Sequence, residues 1–149
     1  MSSIYNKTDN EIIISRINKL SPESKAQWGK MTVGQMLSHC QAPIDFATGN
    51  TPMQANFIMR LVGKMLKKKV FGSDEFKKNS PTAPSFIRTG SYDFEQTKNE
   101  LIQKIGIFSE LGEKAIKTTK HPFFGELTYD EWSKMHTMHL NHHLKQFGV

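Results

Sequence analysis

The stretch that decides the fold is TYDEWSKMHTMHLNHHLKQF, residues 128–147. Thr128 followed three residues later by Glu131 forms a capping-box pattern, in which two side chains satisfy backbone amides at the start of a helix. Apolar residues then recur at helical spacing as far as Phe147. We therefore predict a long amphipathic helix over residues 129–147.

Capping signals of the same kind recur along the chain, in the stretches TDNE (8–11), TVGQ (32–35) and DFEQ (93–96). The apolar spacing behind these signals predicts helices over residues 9–20, 33–48 and 94–111. An apolar and basic segment predicts an additional helix over residues 54–68, and a loop rich in proline, serine and glycine follows it. The alternation typical of a strand persists nowhere.

Four main helices predict a single all-α domain over residues 1–149, an up-down four-helix bundle with the extra helix and long loop between its second and third helices. The core candidates are Ile13, Ile17, Leu20, Met36, Leu37, Cys40, Ile44, Ala47, Phe94, Leu101, Ile105 and Phe108. The stretch HPFFG, residues 121–125, predicts a tight loop that inserts Phe123 or Phe124 into one end of the bundle.

The composition narrows the class of protein. With 149 residues, 37% hydrophobic and 23% charged, the chain is typical of a soluble globular domain. Its apolar runs are too short to span a membrane, and its first residues lack the apolar core of a secretory signal. A single cysteine, Cys40, excludes an internal disulfide framework. We therefore expect a cytoplasmic protein.

The positive charge is partly concentrated in the additional helix. Of a net charge of +6, the end of that helix and the residues after it, 64–78, carry Lys64, Lys67, Lys68, Lys69, Lys77 and Lys78. No helix-turn-helix, zinc-finger or RNA-binding pattern accompanies these lysines, so nucleic acid is not the expected partner. The segment also has a broad apolar side, formed by Phe57, Ile58, Leu61, Val62, Met65 and Leu66. A helix on an anionic membrane has this pattern, but packing over the bundle explains it as well, and we favour packing.

Four of the six histidines lie within residues 136–143. At about 100° per residue, His136, His139 and His143 share one face of the helix, whereas His142 points elsewhere. The i, i+4 spacing of His139 and His143 lets two imidazoles on successive turns bind one metal ion. His136 lies one turn earlier and is a candidate for the second shell of such a site.

A third ligand should come from another helix, and His39, on the inward side of the second helix, is the candidate. His121 lies in a loop, where geometry is held less firmly, and is the poorer candidate. A purification tag would be a run of consecutive histidines, which this pattern is not. Inward histidines are also common as ordinary core residues, so the sequence leaves a metal site and a core role both open.

A site of this kind has a clear chemistry. Three neutral imidazoles leave a divalent ion its two positive charges, so a water or thiol bound to it would lose a proton more easily. The other reactive residues have simpler interpretations. Cys40 diverges from His39 by about 100° along the helix and is expected to be a buried hydrophobe. Glu131 closes the capping box, and Asp45 is expected at the surface.

Two stretches, GQMLSHC (34–40) and HLNHHLKQ (139–146), resemble the DinB-like superfamily of four-helix-bundle metalloproteins. The longer stretch HPFFGELTYDEWSKMHTMHLNHHLKQFG (121–148) resembles an uncharacterised branch defined as a domain of unknown function. The resemblance implies a divalent metal, commonly zinc or nickel and in some cases iron, held by His39, His139 and His143.

The resemblance also bears on function. Some similar proteins are transferases that use a low-molecular-weight thiol, others are isomerases or hydrolases, and many form homodimers. We therefore expect a metal-dependent enzyme acting on a small molecule, and the alternative is a non-catalytic, stress-related bundle that binds a metal or small ligand. The extra helix and basic loop depart from the family's simplest pattern, so the resemblance does not extend to a particular substrate.

Overall fold

The computed structural model describes residues 2–53 and 55–149 of the chain. Its helices are α1 (Lys7–Asn18), α2 (Val33–Ala47), α3 (Phe57–Phe71), α4 (Phe94–Leu111) and α5 (Tyr129–Gln146). Two short 3-10 turns, Pro84–Phe86 and Gly112–Ala115, and a small hairpin of β1 (Lys120–His121) and β2 (Gly125–Glu126) connect them. The predicted all-α fold is confirmed.

Capping residues explain where the helices begin. Thr32 and Thr128 each form a full capping box, with Gln35 and Glu131 respectively. Asp93 accepts from the backbone amide of Gln96 at 2.7 Å, but the Gln96 side chain bonds Glu100 instead of returning to the cap. Three of the four predicted starts are therefore confirmed.

The predicted start of the first helix was wrong. α1 begins at Lys7 because Asn6 supplies an earlier cap, accepting from the backbone amide of Asp9 at 3.1 Å. The additional helix also lies later than predicted. Asn56 caps α3 through the amide of Met59 at 2.9 Å, and the helix continues to Phe71. Gln54, where the prediction began, lies outside the described residues.

Contacts between helices give their directions. Gln41 of α2 donates to the Thr97 carbonyl at 3.0 Å, and further along both helices Asp45 pairs with Lys104 at 2.7 Å, so α2 and α4 run parallel. Asn10, near the start of α1, donates to the carbonyl of Ile105, near the end of α4, at 2.8 Å. The helices α1 and α4 are therefore antiparallel.

α5 runs parallel to α1, because Ser3 bonds Ser133 near one end and Arg16 bonds Asn141 near the other. The bundle is therefore up, down, down, up. Consecutive helices alternate as predicted from α1 to α2 and from α4 to α5. The two middle helices run parallel because the long segment containing α3 carries the chain back across the bundle.

The core of the bundle follows the predicted spacing. The predicted core residues are buried except for Phe94, which is partly buried. α5 adds the largest buried side chain, Trp132, together with Leu140 and Leu144. Asn10 is a buried polar residue, and its side-chain amide satisfies the carbonyls of Ile4 and Ile105. Inward faces of all four main helices thus surround one apolar core.

The hairpin closes one end of the bundle. Phe123 and Phe124 are only partly buried, whereas His121 is 6% exposed and packs against Phe46 and Trp132. Nδ1 of His121 accepts hydrogen bonds from the backbone amides of Phe123 and Phe124, at 3.1 and 3.3 Å, and these bonds stabilise the turn. The predicted loop is present, but the side chain buried most deeply by it is an imidazole, and two short strands flank it.

α3 does not pack its apolar side over the bundle, so that prediction was wrong. Its buried residue is Gly63, and the six large apolar residues of that side are exposed. A Cβ on Gly63 would lie 2.2 Å from the carbonyl oxygen of Phe123. The missing side chain therefore lets α3 lie directly against the hairpin by its other side.

Candidate metal centre

Three imidazoles meet between α2 and α5. His39 lies midway along α2, and His139 and His143 lie on successive turns of α5, which runs antiparallel to α2 at this point. One ring nitrogen from each lies within 4.8 Å of the others, and Nε2 of His39 is 2.9 Å from Nε2 of His139. The structure thus brings together the three residues that the sequence predicted as ligands.

The tautomer of His39 is fixed by the backbone. Its Nδ1 lies 2.9 Å from the carbonyl oxygen of Phe86, in the 3-10 turn between α3 and α4. A carbonyl oxygen only accepts, so Nδ1 carries the hydrogen and the Nε2 lone pair faces the other histidines. Histidine ligands of metals are usually oriented in this way by their second nitrogen.

The tautomer of His143 is fixed in the same way, but by a side chain. The amide nitrogen of Gln146 donates to the Trp28 carbonyl at 2.7 Å, which turns its Oε1 towards His143. Nδ1 of His143 therefore donates to that oxygen, at 2.7 Å, and its Nε2 keeps a lone pair. Two of the three imidazoles are thus held ready to bind a cation.

His139 completes the cluster from a less buried position. With the Nε2 lone pair of His39 facing it at 2.9 Å, neutral His139 carries its hydrogen on Nε2 and donates it to His39. A divalent ion between the two nitrogens would take the place of that hydrogen. The donor set of three neutral nitrogens fits a borderline divalent ion such as zinc or nickel.

All three imidazoles are held neutral near pH 7. Burial, with a smaller contribution from the neighbouring His39, lowers the pKa of His143 to about 3. Burial also lowers the pKa of His39 and takes that of His139 well below its usual value, with His143 and His39 adding to the effect on His139. Neutral imidazoles bind a metal without first losing a proton.

His136 has a different environment from the triad. Its ring is 1% exposed, stacks on Trp132 with centroids 5.8 Å apart, and lies 5.0 Å from the ring of Phe108. Within the described residues, its Nε2 has no hydrogen-bond partner. A second-shell role for His136 stays a prediction.

His142 points away from the triad's centre, as predicted from its helical position. Its ring meets Phe76 edge-on at 6.2 Å and Trp28 at 5.7 Å. These three side chains border a cavity of about 220 Å³, whose wall also carries two acidic and two basic residues, Asp74, Glu75, Lys78 and Lys145. Phe76 also meets the ring of His139, at 6.5 Å, so one cavity-lining ring separates the cavity from the triad, whose imidazoles do not line it themselves.

Other residues that the sequence singled out lie away from the triad. The Cys40 sulfur is buried against Met36 at 3.7 Å, and burial raises the pKa of its thiol. Asp45 forms an ion pair with Lys104, and Glu131 closes its capping box. Cys40 is confirmed as a buried apolar residue, and neither carboxylate lies among the three imidazoles.

Two residues of the site, Phe86 and Phe76, were not predicted from the sequence. Phe86 acts through its backbone carbonyl, so its side chain gave no signal. Phe76 lies in a loop without periodicity, and its place beside His139 depends on how α3 redirects the chain. Gln146 was visible as part of the HLNHHLKQ stretch, three residues after His143, and that spacing suits a contact on the same helical face.

Comparison with known proteins gives one match. A family model described as "Protein of unknown function (DUF1569)" matches residues 5–148, nearly the whole chain. No curated protein matches the chain, and no solved structure does. None of these comparisons connects the chain to the DinB-like superfamily, so that resemblance stays a prediction.

Proposed function

We propose that this chain, which belongs to the DUF1569 family of proteins of unknown function, is a metal-dependent enzyme. His39, His139 and His143 would hold one divalent ion, zinc or nickel. The observation that carries the proposal is the convergence of three neutral imidazoles, of which two have their lone pairs aimed at the cluster by fixed acceptors. A random meeting of core histidines would not require both of those orientations.

The surroundings of the triad favour catalysis over a closed structural site. Structural zinc sites usually have four protein ligands, whereas this cluster has three, and catalytic sites keep an open position. His139 is partly exposed, and its ring meets Phe76, which lines the neighbouring cavity. A small molecule in that cavity would lie against Phe76 and His142, whose rings each touch a ring of the triad.

The residues of the chain would divide the work as follows. His39 and His143 are held rigid through Phe86 and Gln146, which fixes the position of the ion. A bound divalent ion would supply Lewis acidity and favour the deprotonated form of a thiol or water. Phe76 and Trp28 would exclude water from the cavity wall, whose charged residues are of both signs and include the Lys145–Glu75 ion pair.

The proposed reaction is the transfer of a low-molecular-weight thiol to a small electrophile. The sulfur forms a bond to the electrophilic carbon, the thiol proton leaves to solvent, and the leaving group departs with its bonding pair. The choice of this reaction rests on the resemblance to DinB-like proteins and on the partly exposed imidazole. Other members of that superfamily are isomerases or hydrolases, so substrates of those classes belong in the same screen.

Elemental analysis of untagged protein tests the metal site directly. We expect about one zinc or nickel ion per chain. His39→Ala and His143→Ala should each lose most of the metal, because two imidazoles bind an ion weakly. His142→Ala is the matched control, since it removes a neighbouring imidazole from the same helix outside the triad and should leave the metal content unchanged. Unchanged metal in both ligand variants would overturn the site.

A screen of the metal-loaded protein with low-molecular-weight thiols and electrophilic small molecules tests the reaction. We expect turnover that the His39→Ala and His143→Ala variants lack and that Lys19→Gln/Lys25→Gln, changed only at exposed positions away from the cavity, keeps. Stoichiometric metal without turnover of any thiol, ester or isomerisation substrate would instead favour the non-catalytic metal- or ligand-binding protein.

A further inference from the structure

α3 exposes a continuous apolar stripe to solvent. Its members are Phe57, Ile58, Leu61, Val62, Met65 and Leu66, and the most exposed of them, Phe57 and Met65, are 78% and 76% exposed. Single exposed apolar residues are ordinary on protein surfaces, but six on one helix form a contiguous patch. Such a patch marks a surface that binds something.

The stripe faces directly away from the bundle. At about 100° per residue, its six residues fall within one half of the helix, and Gly63 lies in the opposite half, against the hairpin. The inner side of α3 is also attached at its end. The ring of Phe71 meets that of Phe124 at 5.5 Å, and Lys134 donates to the Phe71 carbonyl at 2.9 Å. The helix is therefore fixed with its apolar side outward.

Within the segment that contains α3, the charged residues are all of one sign. Residues 46–73 contain no aspartate or glutamate but carry Arg60, Lys64, Lys67, Lys68 and Lys69. Lys67 is directed inward, donating to the Glu126 carbonyl at 2.6 Å and pairing with Glu131 at 3.0 Å. Lys68 and Lys69 are exposed and fall on the outward half of the helix, at the C-terminal end of the stripe.

This combination selects one kind of occupant. A second copy of the chain would bring two basic clusters together, and nucleic acid would offer no environment for six apolar side chains. Among residues 2–53 and 55–149, no helix is long and apolar enough to cross a membrane. A helix with an apolar side bordered by lysines instead suits the boundary between headgroups and acyl chains.

We infer that α3 docks this protein on the surface of an anionic lipid membrane. The helix lies in the plane of the interface, with its apolar stripe inserted below the headgroups and Lys64, Lys68 and Lys69 among the anionic lipids. The bundle and its histidine cluster remain in water above the membrane. This surface function is independent of the metal site.

Co-sedimentation with vesicles tests the inference on the full chain. We expect binding to phosphatidylcholine vesicles that contain phosphatidylserine and little binding to phosphatidylcholine alone. Lys68→Gln/Lys69→Gln should weaken binding about 25-fold, since each lysine near an anionic surface contributes about fivefold. Lys19→Gln/Lys25→Gln removes the same charge from exposed positions outside α3 and should leave binding unchanged.

A second variant separates insertion from simple charge attraction. Phe57→Ser/Met65→Ser changes two highly exposed side chains, so the fold and metal content should be unchanged while vesicle binding weakens about tenfold or more. Vesicle binding that both double variants of α3 retain would overturn the inference. Absence of binding to anionic vesicles would also overturn it. That holds equally if the protein binds duplex DNA, or if it forms a dimer that Phe57→Ser/Met65→Ser disrupts.

Discussion

The chain buries histidines in two different ways. His39 and His143 turn their Nε2 lone pairs towards His139, because Phe86 and Gln146 each accept a hydrogen bond from Nδ1. His121, in the hairpin, and His136, one turn before His139 on α5, lie instead among aromatic rings, and neither belongs to the cluster of converging nitrogens.

Burial alone does not distinguish the two groups. It lowers the pKa of His136 and His143 to about 3 alike, and that of His121 to about 4. What differs is the direction of the lone pairs, which is set by partners outside the rings. A metal site is therefore identified by convergent, oriented nitrogens, whereas a depressed pKa reports mainly an apolar environment.

The largest expected effect separates packing from binding. His136→Ala removes a ring packed between Trp132 and Phe108, so it should lower the free energy of unfolding of the metal-free protein by about 3 kcal/mol. It should weaken metal binding far less than His143→Ala does, because His136 is outside the triad and at most supports it from the second shell. Urea unfolding and metal titration of the same variant measure both quantities.

His143→Ala is the matched variant of a triad residue, and it should lose metal binding. If His136→Ala weakened metal binding as strongly as His143→Ala does, the division into two groups would be wrong and His136 would belong to the site.

A smaller effect should follow from loosening one oriented imidazole. Gln146→Leu removes the acceptor that holds Nδ1 of His143 and should weaken metal binding by about 10- to 100-fold. Gln146→Glu keeps an acceptor for His143 while losing the bond to the Trp28 carbonyl, so it should restore most of the affinity. Equal loss in both variants, measured by competition with a chelator, would mean that Gln146 acts through Trp28 and not through the imidazole.

Much of this arrangement could be predicted from the sequence because periodicity encodes it. The capping box at Thr128 and the apolar spacing of α5 determine both the helix and the face that carries His139 and His143. His39 was predictable because it shares the inward side of α2 with Met36 and Ile44, which are buried. On a regular helix, the position of a residue in the sequence thus determines the direction of its side chain.

The remaining features depend on tertiary contacts that no pattern encodes. The carbonyl of Phe86 is chemically the same as every other carbonyl, and only the path of the loop places it against His39. The apolar stripe of α3 is equally compatible with burial or exposure. Its outward direction follows from the close approach at Gly63, which depends on the hairpin lying beside the helix.

The smallest expected effect is on how the free energy of unfolding depends on pH, through the two histidines packed among aromatic rings, His121 and His136. In the unfolded chain an imidazole takes up a proton near its usual pKa of 6.5, whereas the folded protein keeps His136 neutral down to about pH 3 and His121 down to about pH 4. The unfolded state therefore binds more protons below pH 6.5, and the free energy of unfolding falls as the pH falls from 6.5 towards 4. Each buried imidazole contributes about 1.4 kcal/mol per pH unit to that slope.

Replacing His136 with alanine should remove one such contribution from the metal-free protein, so that urea unfolding followed across this pH range gives a shallower slope. Leu101→Ala is the control, because it also opens a cavity in the core but removes no titrating group. Its slope should match that of the unmodified protein. An unchanged slope in His136→Ala would show that the ring takes up a proton in the folded state. His136 would then be protonated in the folded protein as readily as a histidine at the surface, which its packing among aromatic rings does not predict.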